Sequence, residues 1–237
     1  METIKYYIRP WIHGCLINDS LILLDLKRDQ YYLIEGEKIN IFKKYVCTDM
    51  VNVVVSEEKR CIHSPERREI NNWIDFDIIT DDEKEGKPLT FCWVEGPVSP
   101  FEHIRSDKMP EIKFHHIMSV VLAGITGLFL IRFIPLLNII NILKWIKTKS
   151  NGSRCPDRGL RIARIFHELR PFMPRNRNCL YDSLCFFLFS WIYRSQPTIV
   201  FGVTDVPFRA HCWAQLEGVI LNDVPQNSMQ FKPIMSI

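Results

Sequence analysis

The sequence lacks the short motifs that mark several common classes of protein. It contains no Gly-x-x-x-x-Gly-Lys loop, so nothing in it argues for a nucleotide site. It has no Cys-x-x-Cys pair, and Cys61-x-His63 and His115-His116 are better explained as solvated loop residues than as zinc ligands. Lysines and arginines number 30 against 27 aspartates and glutamates, which is no strong nucleic-acid footprint. We therefore expect neither a metal nor a nucleic-acid partner.

The amino terminus also lacks the features of a secretory signal peptide. Residues 1–9 have neither an uninterrupted apolar core nor a small-residue cleavage site. Without an export signal, eight cysteines in 237 residues predict reduced thiols and not a disulfide framework. We expect a cytoplasmic protein that folds as one large domain or two small ones.

The sequence does contain a cysteine in a setting that suits a nucleophile. Cys179 follows the polar, turn-like residues 174–178 and opens the apolar helical stretch 180–192. The positive end of the helix dipole, together with Arg175 and Arg177, would favour the thiolate form.

A histidine and an aspartate follow on two predicted strands. His211 lies in the strand-like run 210–216, and Asp223 ends the run 219–223 beyond a turn at Glu217-Gly218. A three-residue loop with Gly218 in the left-handed conformation would place His211 opposite Asp223, whereas a two-residue turn misses this pairing by one position.

These three residues have the composition of a cysteine nucleophile with an oriented base. Eight cysteines and seven histidines could produce a Cys-then-His order by chance, and a lone cysteine is more often a small core residue. The conjunction of helix start, strand and terminal aspartate favours a catalytic triad. Asn222 is an alternative orienting residue, and Trp213 could shield the His–Asp hydrogen bond.

Several segments of the last third resemble the B proteins of bacterial lasso-peptide biosynthesis: residues 179–192, Phe201-Gly202-Val203, His211-x-Trp213, and residues 219–223 followed by Pro225. That family has a transglutaminase-like, papain-related fold and cuts the leader from a lasso precursor. The resemblance implies that Cys179 is the nucleophile, His211 the general base and acid, and Asp223 the residue that orients it. Cys212 stands where the family more often has Ser or Ala, and implies no change of function.

The first third predicts a small α+β domain of winged-helix type. Strands are expected at residues 6–11, 21–26 and 30–34, with a turn at 27–29, and helices at 37–46 and from Ser64-Pro65-Glu66 onwards. Residues 23–33 resemble the hairpin of the precursor-recognition domain found at the start of many lasso B proteins.

In that domain the leader adds as a strand to the sheet edge and lies against the third helix. The peptide-binding residues implied here are Gln30, Tyr31, Tyr32, Leu33, Ile70 and Trp73. Residues 51–55 depart from the family because they are strand-like where a helix is expected. The alternative is that residues 1–85 are only a stabilising β-rich appendage.

The expected organisation is therefore α+β in three parts. Residues 1–85 form the recognition domain, residues 86–115 a charged and proline-punctuated linker, and residues 116–237 a papain- or transglutaminase-like domain with a Cys helix packed on an antiparallel sheet.

The long apolar segment that begins at Ile117 raises the question of a membrane. Its first run meets Arg132 after fifteen residues, short of the length of a span, so we expect a buried or surface-lying helix. Peripheral membrane contact through this helix and the lysines that follow is the alternative. The helix at 159–169 is amphipathic, and His167 is expected on its surface.

The resemblance implies a cysteine peptidase that binds a ribosomal lasso precursor through its leader and removes the leader before cyclisation. An asparagine-synthetase-like cyclase that uses ATP is the implied partner. ATP is also associated with the family's cleavage step, although no cofactor site is evident in this sequence. Two alternatives remain: acyl transfer of transglutaminase type, and a non-catalytic carrier that delivers the precursor to the cyclase.

Overall fold

The computed structural model describes residues 5–46, 64–95, 110–149, 152, 155–173 and 178–237. The chain divides into two compact units, Met1–Cys92 and Trp93–Ile237. Both combine helices with antiparallel sheet, as the predicted α+β class requires. Residues 51–55, Cys61, His63, Arg175 and Arg177 lie outside the described residues.

The first unit is built on a three-stranded antiparallel sheet with two helices. The sheet order is β2 (Ile12–Ile17), β3 (Ser20–Asp25) and β4 (Gln30–Glu35), and a two-stranded pair joins β1 (Tyr7–Ile8) to β5 (Ile79–Thr80). The helices are α1 (Glu37–Tyr45) and α2 (Ser64–Asp75).

The turn between β3 and β4 is held by a buried carboxylate. Asp25 is fully buried, and its Oδ1 accepts hydrogen bonds from the backbone N–H groups of Lys27 and Arg28 at 2.9 and 3.1 Å. Arg28 Nη1 donates to the other carboxylate oxygen at 3.1 Å. These donors compensate the burial of the carboxylate and stabilise the turn that the sequence predicts at residues 27–29.

Residues after 85 continue the first unit. Lys87 and Ile8 form an antiparallel bridge, and Leu89 is 1% exposed in the core of this unit. The stretch that the sequence assigned to a linker from residue 86 therefore begins inside the first unit.

The second unit contains five α-helices, a short 3-10 helix (Arg170–Phe172) and a four-stranded sheet among its described residues. The helices are α3 (Phe114–Phe133), α4 (Leu136–Lys149), α5 (Pro156–Leu169), α6 (Cys179–Ile192) and α7 (Pro225–Ser228). The antiparallel sheet has the order β8 (Val219–Ile220), β7 (Arg209–Leu216), β6 (Thr198–Thr204) and β9 (Lys232–Ser236). The sequence did not predict α7 or β9.

The apolar helix α6 lies at the centre of this unit, in contact with α3, α5, β6 and β7. Almost all of its residues from Tyr181 to Ser190 are buried. Gly127 lets α3 approach closely, because a Cβ there would lie only 2.7 Å from Cys185 Sγ. Tyr181 Oη donates to the carbonyl of Gly124 at 3.2 Å and joins the two helices further. These contacts hold the helix that begins with Cys179 in place.

Candidate active site

The start of α6 is defined by a side-chain cap. Asn178 occupies the N-cap position, and its side-chain oxygen accepts a hydrogen bond from Tyr181 N at 2.8 Å. Cys179 is the first helical residue and is half-buried, while the residues after Asp182 enter the core. The cap and the buried helix together place the thiol at the positive end of the helix dipole.

His211 and Asp223 meet in a direct hydrogen bond. His211 Nε2 lies 2.6 Å from Asp223 Oδ2, and both side chains are less than one-fifth exposed. Because Nε2 is taken by the carboxylate, the other ring nitrogen, Nδ1, is left for the hydrogen bond between His211 and Cys179. The three residues that the sequence singled out are thus contiguous, with the imidazole between thiol and carboxylate.

The predicted hairpin register was wrong. Gln215 pairs with Ile220 and Leu216 with Val219, which leaves a two-residue turn. Both turn residues have positive φ, 47° at Glu217 and 77° at Gly218, as a type I′ turn demands. His211 and Asp223 are therefore not ladder partners, and their contact has another cause.

That cause is Asn222, which ends the strand pairing. Leu221 N still donates to Ala214 O at 2.8 Å, but at the next position the side-chain Oδ1 of Asn222 accepts from Ala214 N at 2.7 Å. The side chain replaces a backbone partner, so the chain leaves the sheet one residue before Asp223. Asn222 supports this loop and makes its side-chain contacts elsewhere than at His211, so the imidazole's orienting partner is Asp223.

The Asp223 carboxylate receives further donors from α7. Ser228 Oγ donates to Oδ2 at 2.8 Å, and Asn227 Nδ2 makes a longer contact of 3.4 Å with Oδ1. Burial alone would raise the pKa of Asp223, but the hydrogen bonds from His211 and Ser228 outweigh it and lower the pKa to about 2. The carboxylate is ionised throughout the physiological range.

The pKa of His211 is raised and that of Cys179 is lowered, and both shifts favour an imidazolium–thiolate ion pair. Burial alone would lower the pKa of His211, but its hydrogen bonds and charge interactions with Asp223 and Cys179 raise it to about 9. Burial raises the pKa of Cys179, and the opposing effects of His211 and of the backbone groups of Cys212 and Leu180 bring it below its ordinary value. Thiolate and imidazolium stabilise each other, which activates the nucleophile.

Two aromatic rings flank the imidazole. The Trp213 ring is stacked 6.0 Å from that of His211, and Phe231, which the sequence analysis missed, lies nearer at 5.0 Å. Trp213 is 4% exposed and its Nε1 donates to Gln215 at 2.8 Å. Gly202 makes room for this arrangement, since a Cβ would lie 2.7 Å from the indole and 2.8 Å from Phe231. Both rings therefore present apolar surface beside the imidazole.

A polar network beneath the site was not foreseen. Asn222 Nδ2 donates to Asp182 Oδ2 at 3.1 Å and to Ser183 Oγ at 2.9 Å, so the loop before Asp223 is tied to α6. Arg170 pairs with the same Asp182 carboxylate and donates to Asn222 O at 2.6 Å. These residues come from three separate segments, and only their spatial contact identifies them.

His167 is less exposed than the sequence suggested. Its Nε2 lies 3.0 Å from Leu221 O, and burial lowers its pKa. It supports the loop between β8 and Asp223 and does not act as a second base in the Cys179 constellation.

The predicted peptide-binding residues divide into two groups. Gln30, Tyr31, Tyr32 and Leu33 lie on β4, and no strand of the described residues pairs with the outer edge of β4. Ile70 and Trp73 are instead buried in the core of the first unit, 1% and 6% exposed. Ile70 and Trp73 are therefore core residues and not peptide-binding residues, because this face of α2 packs into the core of the first unit.

No group of three or more His, Cys, Asp or Glu side chains within the described ranges is arranged to hold a metal ion.

Residues 131–236 match the family model of the transglutaminase-like superfamily. This range contains Cys179, His211 and Asp223, and the second unit is accordingly a transglutaminase-like domain, as the sequence predicted. Such domains are typically those of cysteine-dependent hydrolases and acyltransferases. Neither the curated proteins nor the solved structures gave a significant match to the chain.

Replacing the Asp223 carboxylate should make the His211 imidazolium easier to deprotonate. In Asp223→Asn we expect the pKa of His211, about 9 in the native protein, to fall by about one unit or more towards 6.5, because the amide removes the negative charge. The raised pKa of His211 stabilises the folded state of the native protein. This contribution is fully present below pH 6.5 and is lost as the pH rises through about 9. Histidine NMR titration measures the shift.

Glu217→Gln is the matched control, since it removes an exposed carboxylate from the same hairpin. An unchanged His211 pKa in Asp223→Asn would contradict the assigned ion pair.

Removing the Asn222 side chain should disorganise the loop. Asn222→Ala leaves Ala214 N–H and Ser183 Oγ without this partner, and we expect the free energy of unfolding to fall by about 2 kcal/mol. The pKa of His211 should fall as well, because Asp223 loses its fixed position. Urea denaturation and NMR titration measure the two effects.

Asn141→Ala, an exposed change on α4, controls for loss of an asparagine. A loss of stability with an unaltered His211 pKa would show that the loop keeps Asp223 in place without Asn222.

Proposed function

We propose that the protein is a cysteine leader peptidase that cuts a ribosomally made lasso precursor peptide. The observation that carries this proposal is the placement of His211 between Asp223 and Cys179, with the cysteine at the start of α6. The transglutaminase-like domain supports cysteine-dependent acyl chemistry. The peptide substrate is suggested by the resemblance to lasso B proteins and by the position of β4 as an edge strand among the described residues.

The first half of the reaction forms an acyl-enzyme. The Cys179 thiolate attacks the scissile carbonyl carbon, a C–S bond forms, and the oxygen becomes negatively charged. The backbone N–H of Cys179 is a suitable donor to this oxygen, since a first helical residue has no intrahelical acceptor for its N–H. His211 then gives its proton to the leaving nitrogen as the C–N bond breaks, and the core peptide departs with a free amine.

The second half releases the leader. Neutral His211 takes a proton from water, whose oxygen attacks the thioester carbon. The C–S bond breaks, the leader leaves with a carboxylate end, and the thiolate is restored beside a protonated imidazole. Asp223 keeps the imidazole in one orientation and stabilises its cationic form in both halves.

The first unit supports substrate delivery. An extended leader can add to β4 through main-chain hydrogen bonds, which suits a peptide without structure of its own. Leu33 is 50% exposed on this strand, and Tyr31 shares its face because side chains alternate along a strand. Binding the leader in the same chain as the nucleophile raises the effective concentration of the scissile bond.

The cleaved core then requires ring closure by an asparagine-synthetase-like cyclase, which is the ATP-using partner in this proposal. No step in the cleavage chemistry above is routed through ATP. A reducing bacterial cytoplasm would keep the sulfur of Cys179 reduced.

Mutation of the nucleophile tests the proposal directly. A candidate lasso precursor is incubated with the native protein or Cys179→Ala, with cyclase and ATP present in both reactions, and the products are identified by mass spectrometry. We expect leader release to fall by about a thousandfold or more in the variant. Cys155→Ala, which changes an exposed cysteine at the start of α5, should leave release unchanged.

The products also separate the alternatives. A leader with a free carboxylate supports hydrolysis, whereas a leader joined to an amine through a new amide supports transglutaminase-type transfer. Equal processing by the native protein and Cys179→Ala would remove Cys179 from the chemistry and favour the carrier.

A change at the β4 edge tests leader binding. Leu33→Asp places a charge on the exposed strand face, and we expect leader affinity to fall by about tenfold or more with little loss of stability. Fluorescence anisotropy with a labelled leader measures the affinity. Ile17→Asp, on the opposite edge strand β2, is the control, and an equal loss of affinity in both variants would argue against docking at β4.

A further inference from the structure

The outer face of α3 carries a continuous apolar stripe. Six large side chains on it are each more than half exposed and recur at intervals of three or four residues: Phe114 (75%), Met118 (53%), Leu122 (59%), Ile125 (56%), Phe129 (55%) and Phe133 (67%). This spacing places them on one side of the helix. A helix of this length is about 30 Å long, so the stripe is a large exposed apolar patch of the kind that marks an interaction surface.

The opposite face of α3 packs against the rest of the second unit. Tyr181 Oη donates to Gly124 O, and Tyr193 Oη lies 3.0 Å from Ser119 Oγ. Gly127 packs directly on α6. The helix is long and apolar enough to cross a membrane by length and composition, but crossing would require it to separate from α6. The geometry therefore favours a helix that lies on a surface with one face outward.

The charges of the sequence segment that contains the stripe indicate the nature of that surface. Between Glu111 and Asp157 the sequence contains no acidic residue and six basic ones: Lys113, Arg132, Lys144, Lys147, Lys149 and Arg154. Lys113 and Arg132 stand next to the two ends of the stripe, and Lys113 lies 3.6 Å from Glu111, the last acid before this region. A cationic segment without acids is complementary to a layer of anionic headgroups.

We propose that the outer face of α3 binds an anionic lipid bilayer, with the helix parallel to the membrane plane. The aromatic and aliphatic side chains of the stripe enter the boundary between headgroups and acyl chains, while Lys113 and Arg132 at its two ends contact the headgroups. This is a second binding surface, separate from Cys179 chemistry and from the leader-binding edge, and its test needs no substrate.

Vesicle flotation of the full chain tests the proposal. We expect binding to vesicles of mixed phosphatidylglycerol and phosphatidylcholine, weaker binding in high salt, and little binding to phosphatidylcholine alone. Leu122→Gln and Phe129→Gln should each weaken binding by about tenfold, because each removes one inserted side chain. Phe76→Gln is the matched control, since Phe76 is also 55% exposed but lies in the first unit.

A variant that keeps the stripe apolar tests the proposal even if the glutamine variants fail to fold. In Leu122→Trp the added indole emission should be quenched by brominated phosphatidylglycerol. Absence of quenching, absence of binding to anionic vesicles, or equal binding to both vesicle types would overturn the proposal. A native dimer that Leu122→Gln converts to a monomer in light scattering would also overturn it and assign the stripe to a second copy of the chain.

Discussion

The hydrogen bond from Ala214 N to the side chain of Asn222 is the interaction on which the geometry of the active site depends. A regular hairpin would continue the ladder and place Asp223 opposite Cys212, one position short of His211. Because a side chain replaces a backbone partner, the ladder ends without an unsatisfied buried N–H and the chain is free to turn. The same side chain holds Asp182 and Ser183, so the turn is anchored to the nucleophile's helix.

With Asp223 held in this position, the charge states of the active-site residues depend on one another in series. Ser228 and His211 both donate to Asp223, which stays anionic, and the anionic carboxylate keeps His211 protonated beside Cys179. Each residue in this series influences the protonation state of the next. The Cys179 thiolate is therefore stabilised in part by Ser228 on α7, which is distant from it in the sequence. Trp213 and Phe231 add apolar surface beside the imidazole, where charge interactions are stronger than in water.

Strong periodic patterns made much of this fold predictable. The apolar run after Cys179 and the alternating strands around His211 gave the correct elements, since burial imposes those patterns. The hairpin register failed because Glu217 adopts a left-handed conformation that is uncommon outside glycine. The short strand β9 escaped notice because it holds a proline, Pro233, and little alternation. Contacts of Asn222 with Asp182 span forty residues, and no local pattern encodes such a pair.

The glycine at position 127 constrains where the catalytic helix can lie. It brings the backbone of α3 against Cys185, in the middle of the helix that starts with the nucleophile. Since packed interiors deform little, a larger side chain at this position would push α6 away from α3. Such a displacement would carry Cys179 away from His211, so the thiolate–imidazolium pair depends on the absence of a side chain on a different helix.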